Sequence, residues 1–259
     1  MSVVIKSQVE MTSGLLRSLP SRAWERLRPS LVSFDMAYGQ VLQHQDGEIQ
    51  HLYFVNRGLV SLVKTMRDGR TVEISAIGPE GVADPYALFG IDNAITESVV
   101  QIPGTAVRLS RDILVREMAR DESLNWIMRK YMRFAVEQIV QTAACNRLHS
   151  LEERCCRWLL IAHDGALSDT FPLTHHFLAT MLGVQRSGVT LAARLMKRAG
   201  LIRYTRASVT VMDRAGLEEA ACECYGTIRN ELHKILATKT RATSGGCSLQ
   251  SSATNNNIR

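Results

Sequence analysis

The uneven placement of glycine constrains the fold of this chain more than any other feature of its sequence. Eight of its 17 glycines fall between residues 31 and 110, and none follows until Gly165. Between these glycines lie short β-forming runs, such as Leu52–Val55 and Leu59–Val63. Asp68-Gly69 separates two further runs and is a hairpin signal. The pattern predicts a β-barrel or β-sandwich that leads into helices.

The glycine-free stretch has helical periodicity, with a seam of residues that recur in alternating steps of four and three. The seam consists of Leu124, Met128, Tyr131, Ala135, Gln138, Thr142, Cys145 and His149. This spacing resembles a coiled coil and predicts a dimerisation helix. The later part of the seam is polar. A helix packed within one chain is therefore the alternative. Ile127, Phe134 and Ile139 lie off the seam, where we expect them to pack on the barrel. A second helix is predicted from about Leu151 to His163.

The two ends of the chain differ from the middle in composition. Residues 10–29 are predicted to be helical with a break at Pro20. Beyond Thr227 the sequence becomes polar, and residues 238–259 offer almost nothing to bury. We therefore expect a disordered tail over 227–259.

Charge is concentrated in one part of the chain. Its net charge is +6, and no Asp or Glu occurs between Thr170 and Met212, a window that holds six Lys and Arg residues. A local field of one sign suits a polyanion such as DNA. A solvated basic face without a partner is the alternative.

The same window contains the pattern of a helix-turn-helix. Thr174 is a good N-cap, Gly183 permits a tight turn, and a second helix starts near Gln185. Val189, Ala192 and Leu195 are expected to turn this helix to the core. The stretches 201–204 and 208–211 then predict a two-stranded basic wing. An exposed Arg can bind guanine and Gln can bind adenine in the major groove. The predicted DNA-binding residues are Thr174, Gln185, Arg186, Ser187, Thr190, Arg194, Lys197, Arg203 and Arg206.

With these residues, the chain resembles the CRP/FNR family of bacterial transcription regulators, in its subgroup that does not bind cyclic nucleotides. The most specific matches are 178–190, 198–202 and, in the β-rich part, 52–62. The resemblance implies an α+β fold with a β-roll (a jelly roll of the cyclic-nucleotide-binding type), a long dimerisation helix and a C-terminal winged helix. It also implies a homodimer on a palindromic operator, with double-stranded DNA and RNA polymerase as partners. The expected segments are 1–30, 31–111, 112–149, 150–226 and 227–259.

Two positions of the predicted recognition helix depart from the best-known members of the family. Arg186 occupies the place of the family's base-reading arginine. The following residue, often Glu in those members, is Ser187 here, and Leu191 replaces a further base-contacting arginine. We therefore expect an operator that differs from the familiar consensus.

The sensor half departs further from the family pattern. Its candidate effector pocket contains Gly78, Glu80, Glu97 and Ser98, and Glu97 stands about where nucleotide-binding members carry an arginine. No Lys or Arg occurs from Thr71 to Val107, whereas five acidic residues do. A buried phosphate needs a cation or a ring of donors, so we predict no cyclic AMP or cyclic GMP binding by the usual mode. The small-molecule effector stays unidentified.

Other functions have weaker support in the sequence. No HExxH, GxSxG, Walker A or GxGxxG motif occurs, so we predict no enzyme and no catalytic residue. The cysteines form no CxxC pair, and Cys222-Glu223-Cys224 is more typical of packing, so we predict no metal and no cofactor. Without an export signal or an apolar run long enough for a membrane, a cytoplasmic location is expected. The alternative function is a β-roll that binds a ligand or a protein, with only non-specific DNA affinity.

Overall fold

The N-terminal segment forms two short helices in the computed structural model, which describes residues 13–205 and 207–237. Helices α1 (Gly14–Arg17) and α2 (Ser21–Leu27) are separated at Pro20, as predicted, and a 3-10 turn follows over Arg28–Ser30. Leu15, Leu16 and Leu27 are buried against the rest of the molecule.

The β-rich region is a single antiparallel sheet of six strands that folds into the predicted β-roll. Its order is β1-β6-β3-β4, with β2 paired to β6 and β5 paired to β3. A 3-10 turn over Pro85–Phe89 connects β5 to β6. The strands are β1 (Val32–Met36), β2 (Val41–Gln43), β3 (His51–Thr65), β4 (Thr71–Ile77), β5 (Val82–Ala83) and β6 (Glu97–Ser110).

Two glycines allow β3 and β6 to run further than the sequence suggested. The runs Leu52–Val55 and Leu59–Val63 belong to one strand, whose register shifts around Gly58. Gly58 has φ +101°, and a Cβ there would lie 2.5 Å from the carbonyl oxygen of Ile102. A Cβ on Gly104, opposite, would collide with the Arg57 carbonyl. A side chain at either position would push the two longest strands apart.

The segment 112–149, which was predicted to be one dimerisation helix, forms two helices. Helix α3 (Arg111–Arg120) ends at Asp121, and α4 (Glu122–Leu148) begins after it. Asp121 has extended backbone, and its side chain accepts a hydrogen bond from the Leu124 N–H at 3.0 Å. This N-cap satisfies a donor of the first turn of α4 and fixes the break.

The predicted dimer seam is wrong, because α4 turns that seam towards its own chain. Leu124, Met128 and Ala135 are buried within the chain. The Tyr131 hydroxyl accepts a hydrogen bond from the Val82 N–H at 3.0 Å. Gln138 donates from Nε2 to the Ala76 carbonyl at 2.9 Å. Its polar groups are therefore satisfied by β4, and this part of the seam is occupied by the β-roll. Ile127 and Phe134 are also buried, as expected.

The C-terminal part is a winged helix-turn-helix followed by two helices. Its first helix, α5 (Leu151–Ala166), starts with a capping box between Ser150 and Glu153. A three-stranded sheet, in the order β7-β9-β8, packs beside the helix pair. The remaining elements are β7 (Thr170–Pro172), α6 (His175–Leu182), α7 (Arg186–Arg198), β8 (Ile202–Tyr204), β9 (Ser208–Val211), α8 (Arg214–Ala220) and α9 (Cys224–Ala237).

The predicted disorder from residue 227 onward is wrong for the first part of that segment. Residues up to 237 continue α9, and the rest of the predicted tail, 238–259, lies outside the described residues. Ile228 is buried, and Leu232 and Ile235 pack on a cluster that includes Leu15 and Leu16. Apolar residues at helical spacing thus outweigh the polar composition around them.

The β-roll and the winged helix share one hydrophobic core. Leu59 and Ile102 of the sheet belong to the same buried cluster as Phe171 and Met181 of the C-terminal part. The Trp158 indole N–H of α5 donates to the carboxylate of Glu73 on β4 at 3.1 Å. None of the helices in the described ranges is long and apolar enough to cross a membrane.

Candidate nucleic-acid interface

The turn between α6 and α7 has the geometry that the sequence predicted. Thr174 caps α6, accepting a hydrogen bond from the Phe177 N–H at 3.1 Å. Gly183 ends α6 in the left-handed conformation, at φ +64°. The Val184 N–H then returns to the Ala179 carbonyl at 2.9 Å, which closes the turn. Helix α7 starts at Arg186 with Gln185 as its N-cap residue.

Helix α7 has a buried face and an exposed face. Val189, Ala192 and Met196 are almost fully buried, at helical spacing. Leu195 does not turn to the core as expected, because its side chain is 44% exposed and Met196 occupies that position. Leu191 is also exposed, at 55%. The outer face of the helix therefore combines cationic and apolar side chains.

The predicted base-reading residues lie at the exposed N-terminal end of α7. Gln185, Arg186 and Ser187 are all exposed. The Gln185 side chain makes no capping hydrogen bond to the helix, so its amide is free to contact a base. The N-terminus of the helix adds a partial positive charge and unpaired N–H groups at the same place. This end of α7 is suited to an anionic partner.

The remaining cations extend this surface. Arg194, Lys197 and Arg203 are exposed, and none forms an ion pair with another residue of the described ranges. Arg186 and Arg194 both act on His175, a half-buried ring at the start of α6 whose pKa is lowered by burial and by these two charges. The positive charges of Arg186 and Arg194 therefore both act at the start of α6.

Two predicted contact residues have structural roles in this geometry. The Thr174 hydroxyl is engaged in capping α6. The Thr190 hydroxyl donates to the Arg186 carbonyl at 2.9 Å and lies 3.0 Å from His175 Nδ1. Both groups hold the helix pair in place, so the exposed polar surface is carried by the other predicted residues.

The wing contains one strand more than predicted. Thr170–Pro172 forms the short edge strand β7 beside β9, and β8 lies on the other side. Three residues ending in proline give too weak a strand signal to be read from sequence. Arg203 is exposed on β8. Arg206 lies outside the described residues, and its predicted phosphate contact stays a prediction.

Sequence reasoning missed three residues that position this interface: Arg154, His175 and Tyr204. Arg154 of α5 donates to the Leu182 carbonyl at 2.5 Å, where α6 ends. The Tyr204 hydroxyl donates to the Leu173 carbonyl at 2.9 Å, and its ring lies 4.4 Å from that of His175. These contacts tie the helix pair to α5 and to the wing. The partners of these residues lie far away in the sequence. No local pattern could therefore indicate these roles.

The four residues of the predicted effector pocket do not line one cavity. Gly78 and Glu80 line a cavity with Phe134 and Tyr225, and Glu80 accepts from the Gly78 N–H at 2.8 Å. Glu97 and Ser98 are not among the residues that line that cavity. Glu97 instead lies near the surface, 3.1 Å from His44 Nδ1.

Ser98 contacts a buried acid. Its hydroxyl donates to one Asp84 oxygen at 2.9 Å, and the other oxygen has no partner in the described ranges. Burial raises the Asp84 pKa to about 7. Lys64, a cation that reaches this region, donates to the Ile95 carbonyl at 2.8 Å. The sheet thus presents a buried acid, rather than a free cation, beside Ser98.

Known structures share the architecture described above. A transcriptional regulator of the CRP/FNR family from Eubacterium rectale is 15% identical, with a TM-score of 0.62, over 80% of this chain and 96% of the other. FixK2 from Bradyrhizobium japonicum is 16% identical, with a TM-score of 0.62, over 74% and 98% of the two chains. A CRP-family regulator from Thermus thermophilus is 23% identical, with a TM-score of 0.58, over 73% and 96%. At these identities the likeness establishes the fold. No curated protein matches the chain by sequence.

The fold and the exposed α7 surface define a DNA-binding regulator built from a β-roll and a helix-turn-helix. Two family profiles match the chain: the cyclic nucleotide-binding domain over residues 35–121 and the Crp-like helix-turn-helix domain over 153–220. Together they cover more than half of the sequence. The chain belongs to the CRP/FNR family of transcription regulators.

Proposed function

We propose that this protein binds a palindromic operator as a homodimer and reads it with the N-terminal end of α7. The observation that carries the proposal is a set of exposed donors at that end, Gln185, Arg186 and Ser187, whose side chains have no partner among the described residues. By contrast, Arg214 of α8 is held in ion pairs with Asp164 and Glu218. An arginine with free donors can form two hydrogen bonds to guanine O6 and N7.

The other residues of this surface have distinct proposed roles. The Gln185 amide is suited to adenine, and the exposed Leu191 is suited to a thymine methyl group. Arg194, Lys197 and Arg203 lie further along the surface, where we expect them to contact phosphates. RNA polymerase is a further proposed partner, and a protein that acts on the chromosome is expected in the cytoplasm.

The proposed dimer interface is the exposed face of α4, opposite the buried seam. Exposed positions recur along it in steps of three and four, the spacing of a coiled-coil seam. Trp126, Val136 and Val140 are exposed apolar side chains on this face, at 54%, 48% and 62%. Burial against a second copy would remove this apolar surface from water. The face comprises Trp126, Arg129, Arg133, Val136, Val140, Ala143 and Arg147.

We also propose that the β-roll does not bind cyclic AMP or cyclic GMP by the usual mode. A cyclic phosphate beside Ser98 would meet the buried carboxyl of Asp84, with which no cation of the described ranges pairs. Burial of like charges without a partner is strongly unfavourable.

The first experiment is selection of bound sequences from random duplex DNA by the purified, ligand-free full chain. Enrichment of a palindrome with half-sites about 34 Å apart, one helical turn, would support the proposal. Salt-sensitive binding without an enriched sequence would favour a ligand-binding module with non-specific DNA affinity. Repeating the selection with cell extract would detect an effector that is needed to align the two recognition helices.

Two arginine variants separate base reading from phosphate contact. Arg186→Ala should cost about 1–3 kcal/mol on the selected operator and relax specificity at one base pair per half-site. Arg203→Ala is the matched control, since loss of a phosphate contact should weaken all sequences evenly and flatten the salt dependence. Equal losses on operator and random DNA for Arg186→Ala would contradict the assigned role.

Val140→Glu tests the proposed dimer face. A charge in a hydrophobic interface should convert the dimer into monomers in sedimentation equilibrium and abolish tight operator binding. Val32→Glu is the matched control, because Val32 is 50% exposed on β1, away from this face. A Val140→Glu protein that stayed dimeric would place the interface elsewhere.

A further inference from the structure

Four potential metal ligands from two distant segments meet beside the end of α4. Cys145 and His149 come from the last turn of α4 and its C-cap. Cys222 lies just before α9, and Cys224 is the first residue of that helix. One ligand atom from each of the four lies within 4.8 Å of all the others. The sequence indicates packing for Cys222 and Cys224, and no local pattern shows that they meet Cys145 and His149 in the folded chain.

Two of the distances between these atoms are close to those of a tetrahedral metal site. The Cys145 and Cys222 sulfurs are 3.6 Å apart, and the Cys224 sulfur is 3.6 Å from His149 Nδ1. Zinc bonds of about 2.3 Å to sulfur and about 2.0 Å to nitrogen place tetrahedral ligands about 3.8 Å (S···S) and about 3.5 Å (S···N) apart. A disulfide would require about 2.05 Å.

The surroundings also suit a bound cation. All three cysteines are buried and form a small cluster of their own. His149 Nε2, the ring nitrogen that faces away from Cys224, lies 3.1 Å from a Glu223 carboxylate oxygen. Gln141 donates from Nε2 to the Cys224 sulfur at 3.0 Å. A carboxylate on the second nitrogen of a ligating histidine is a common outer partner in zinc sites, because it orients the ring.

We propose that Cys145, His149, Cys222 and Cys224 bind one Zn²⁺ ion in a structural site. Three thiolates and an imidazole in a tetrahedral arrangement favour zinc over harder cations such as Mg²⁺. Four protein ligands leave no position open for a substrate. The thiols release their protons to solvent as the sulfur–zinc bonds form, and no redox step is involved. The proposal departs from the sequence prediction that no metal is bound.

The position of the site suggests what the metal stabilises. His149 follows α4 directly, and Ser150 then starts α5 of the DNA-binding part. The ion would tie this junction to the connection between α8 and α9. It would therefore fix the angle between α4 and the winged helix. The zinc proposal does not rest on operator binding or dimerisation.

The test is metal analysis of the full chain, purified with reductant and without chelators. We expect about one zinc per chain. Replacement by Co²⁺ should give the intense visible bands of tetrahedral cobalt and a thiolate-to-cobalt charge-transfer band. Cys222→Ser and Cys224→Ser should lose the metal. Cys155→Ala is the matched control, because that buried cysteine belongs to the main core and not to the cluster.

Glu223→Gln tests the outer partner without removing a ligand. It should weaken zinc affinity about 10–100-fold while the cobalt bands keep their thiolate character. Full-chain protein with confirmed free thiols that binds no Co²⁺ would overturn the proposal. So would a cobalt spectrum without a thiolate band, or full zinc retention by Cys222→Ser. The wild-type titration decides the matter even where a variant fails to fold.

Discussion

The carboxyl of Glu73 joins the β-roll to the DNA-binding part and should make the free energy of unfolding depend on pH. It accepts hydrogen bonds from the Trp158 indole N–H of α5 and from the Ser61 hydroxyl of β3. Burial is the largest influence on this group and raises its pKa from 4.5 to about 7, although both hydrogen bonds lower it. Glu73→Gln removes the ionisable group and keeps an amide oxygen for Trp158 and an amide N–H for Ser61.

The direction of the effect follows from proton linkage. Because the folded protein holds this proton more tightly than the unfolded chain, the stabilisation is complete below pH 4.5 and is lost as pH rises through about 7. The full difference corresponds to roughly 3 kcal/mol at 1.36 kcal/mol per pKa unit. Most of it, roughly 2–3 kcal/mol, falls between pH 5 and pH 8. The variant should therefore gain roughly 2–3 kcal/mol in stability relative to the wild type as pH rises across this interval.

Guanidinium denaturation of both proteins at several pH values between 5 and 8 measures this difference. Other buried acids, such as Asp84, are present in both proteins and cancel in the comparison. Glu25→Gln is the control for replacing a carboxylate by an amide outside the core, because Glu25 is exposed on α2. A constant difference for Glu73→Gln would refute the reasoning, since it would mean that the carboxylate ionises in the folded protein without penalty.

Three further predictions concern the packing and the sensor. Tyr131→Phe leaves the buried Val82 N–H without its acceptor and should cost about 1–3 kcal/mol in chemical denaturation, whereas an unchanged free energy of unfolding would mean that water replaces the hydroxyl. Gly104→Ala should cost about 1–3 kcal/mol through its collision with the Arg57 carbonyl. Gly226→Ala, with open space around it, should not destabilise the protein, and equal melting temperatures for the two variants would contradict the packing argument. Titration calorimetry with cyclic AMP should show no binding, and micromolar affinity would overturn the proposal for the β-roll.

Local sequence signals were sufficient for the helix-turn-helix and for the hairpin. Thr174 and Gly183 act on their immediate neighbours, so a cap and a tight turn can be predicted without knowing the rest of the fold. Asp68-Gly69 likewise connects β3 and β4 as expected, with Gly69 at φ +82°. The predicted order of β-roll, long helix and winged helix was also confirmed. It could be predicted because each of these elements has its own periodicity in the sequence.

The orientation of α4 could not be predicted in this way. A seam of apolar and polar residues has the same spacing whether it faces a second copy or its own β-roll. A polar residue such as Gln138 is unfavourable in a dimer seam. In the folded chain its side chain instead bonds to Ser75 and to the Ala76 carbonyl on β4. Those partners are known only once the strand register is known. The same limit applies to the four metal ligands, since Cys145 and Cys222 meet only in the folded chain.

The contact between α9 and the N-terminal helices has a consequence for biosynthesis. Leu15 and Leu16 share a cluster with Ile228, near the other end of the described chain. A ribosome releases the N-terminal part first, so this apolar surface stays uncovered until α9 has been made. The β-roll therefore cannot complete its packing during its own synthesis. A chain cut short before Cys224 would keep that surface exposed permanently and would be a substrate for chaperones and proteases.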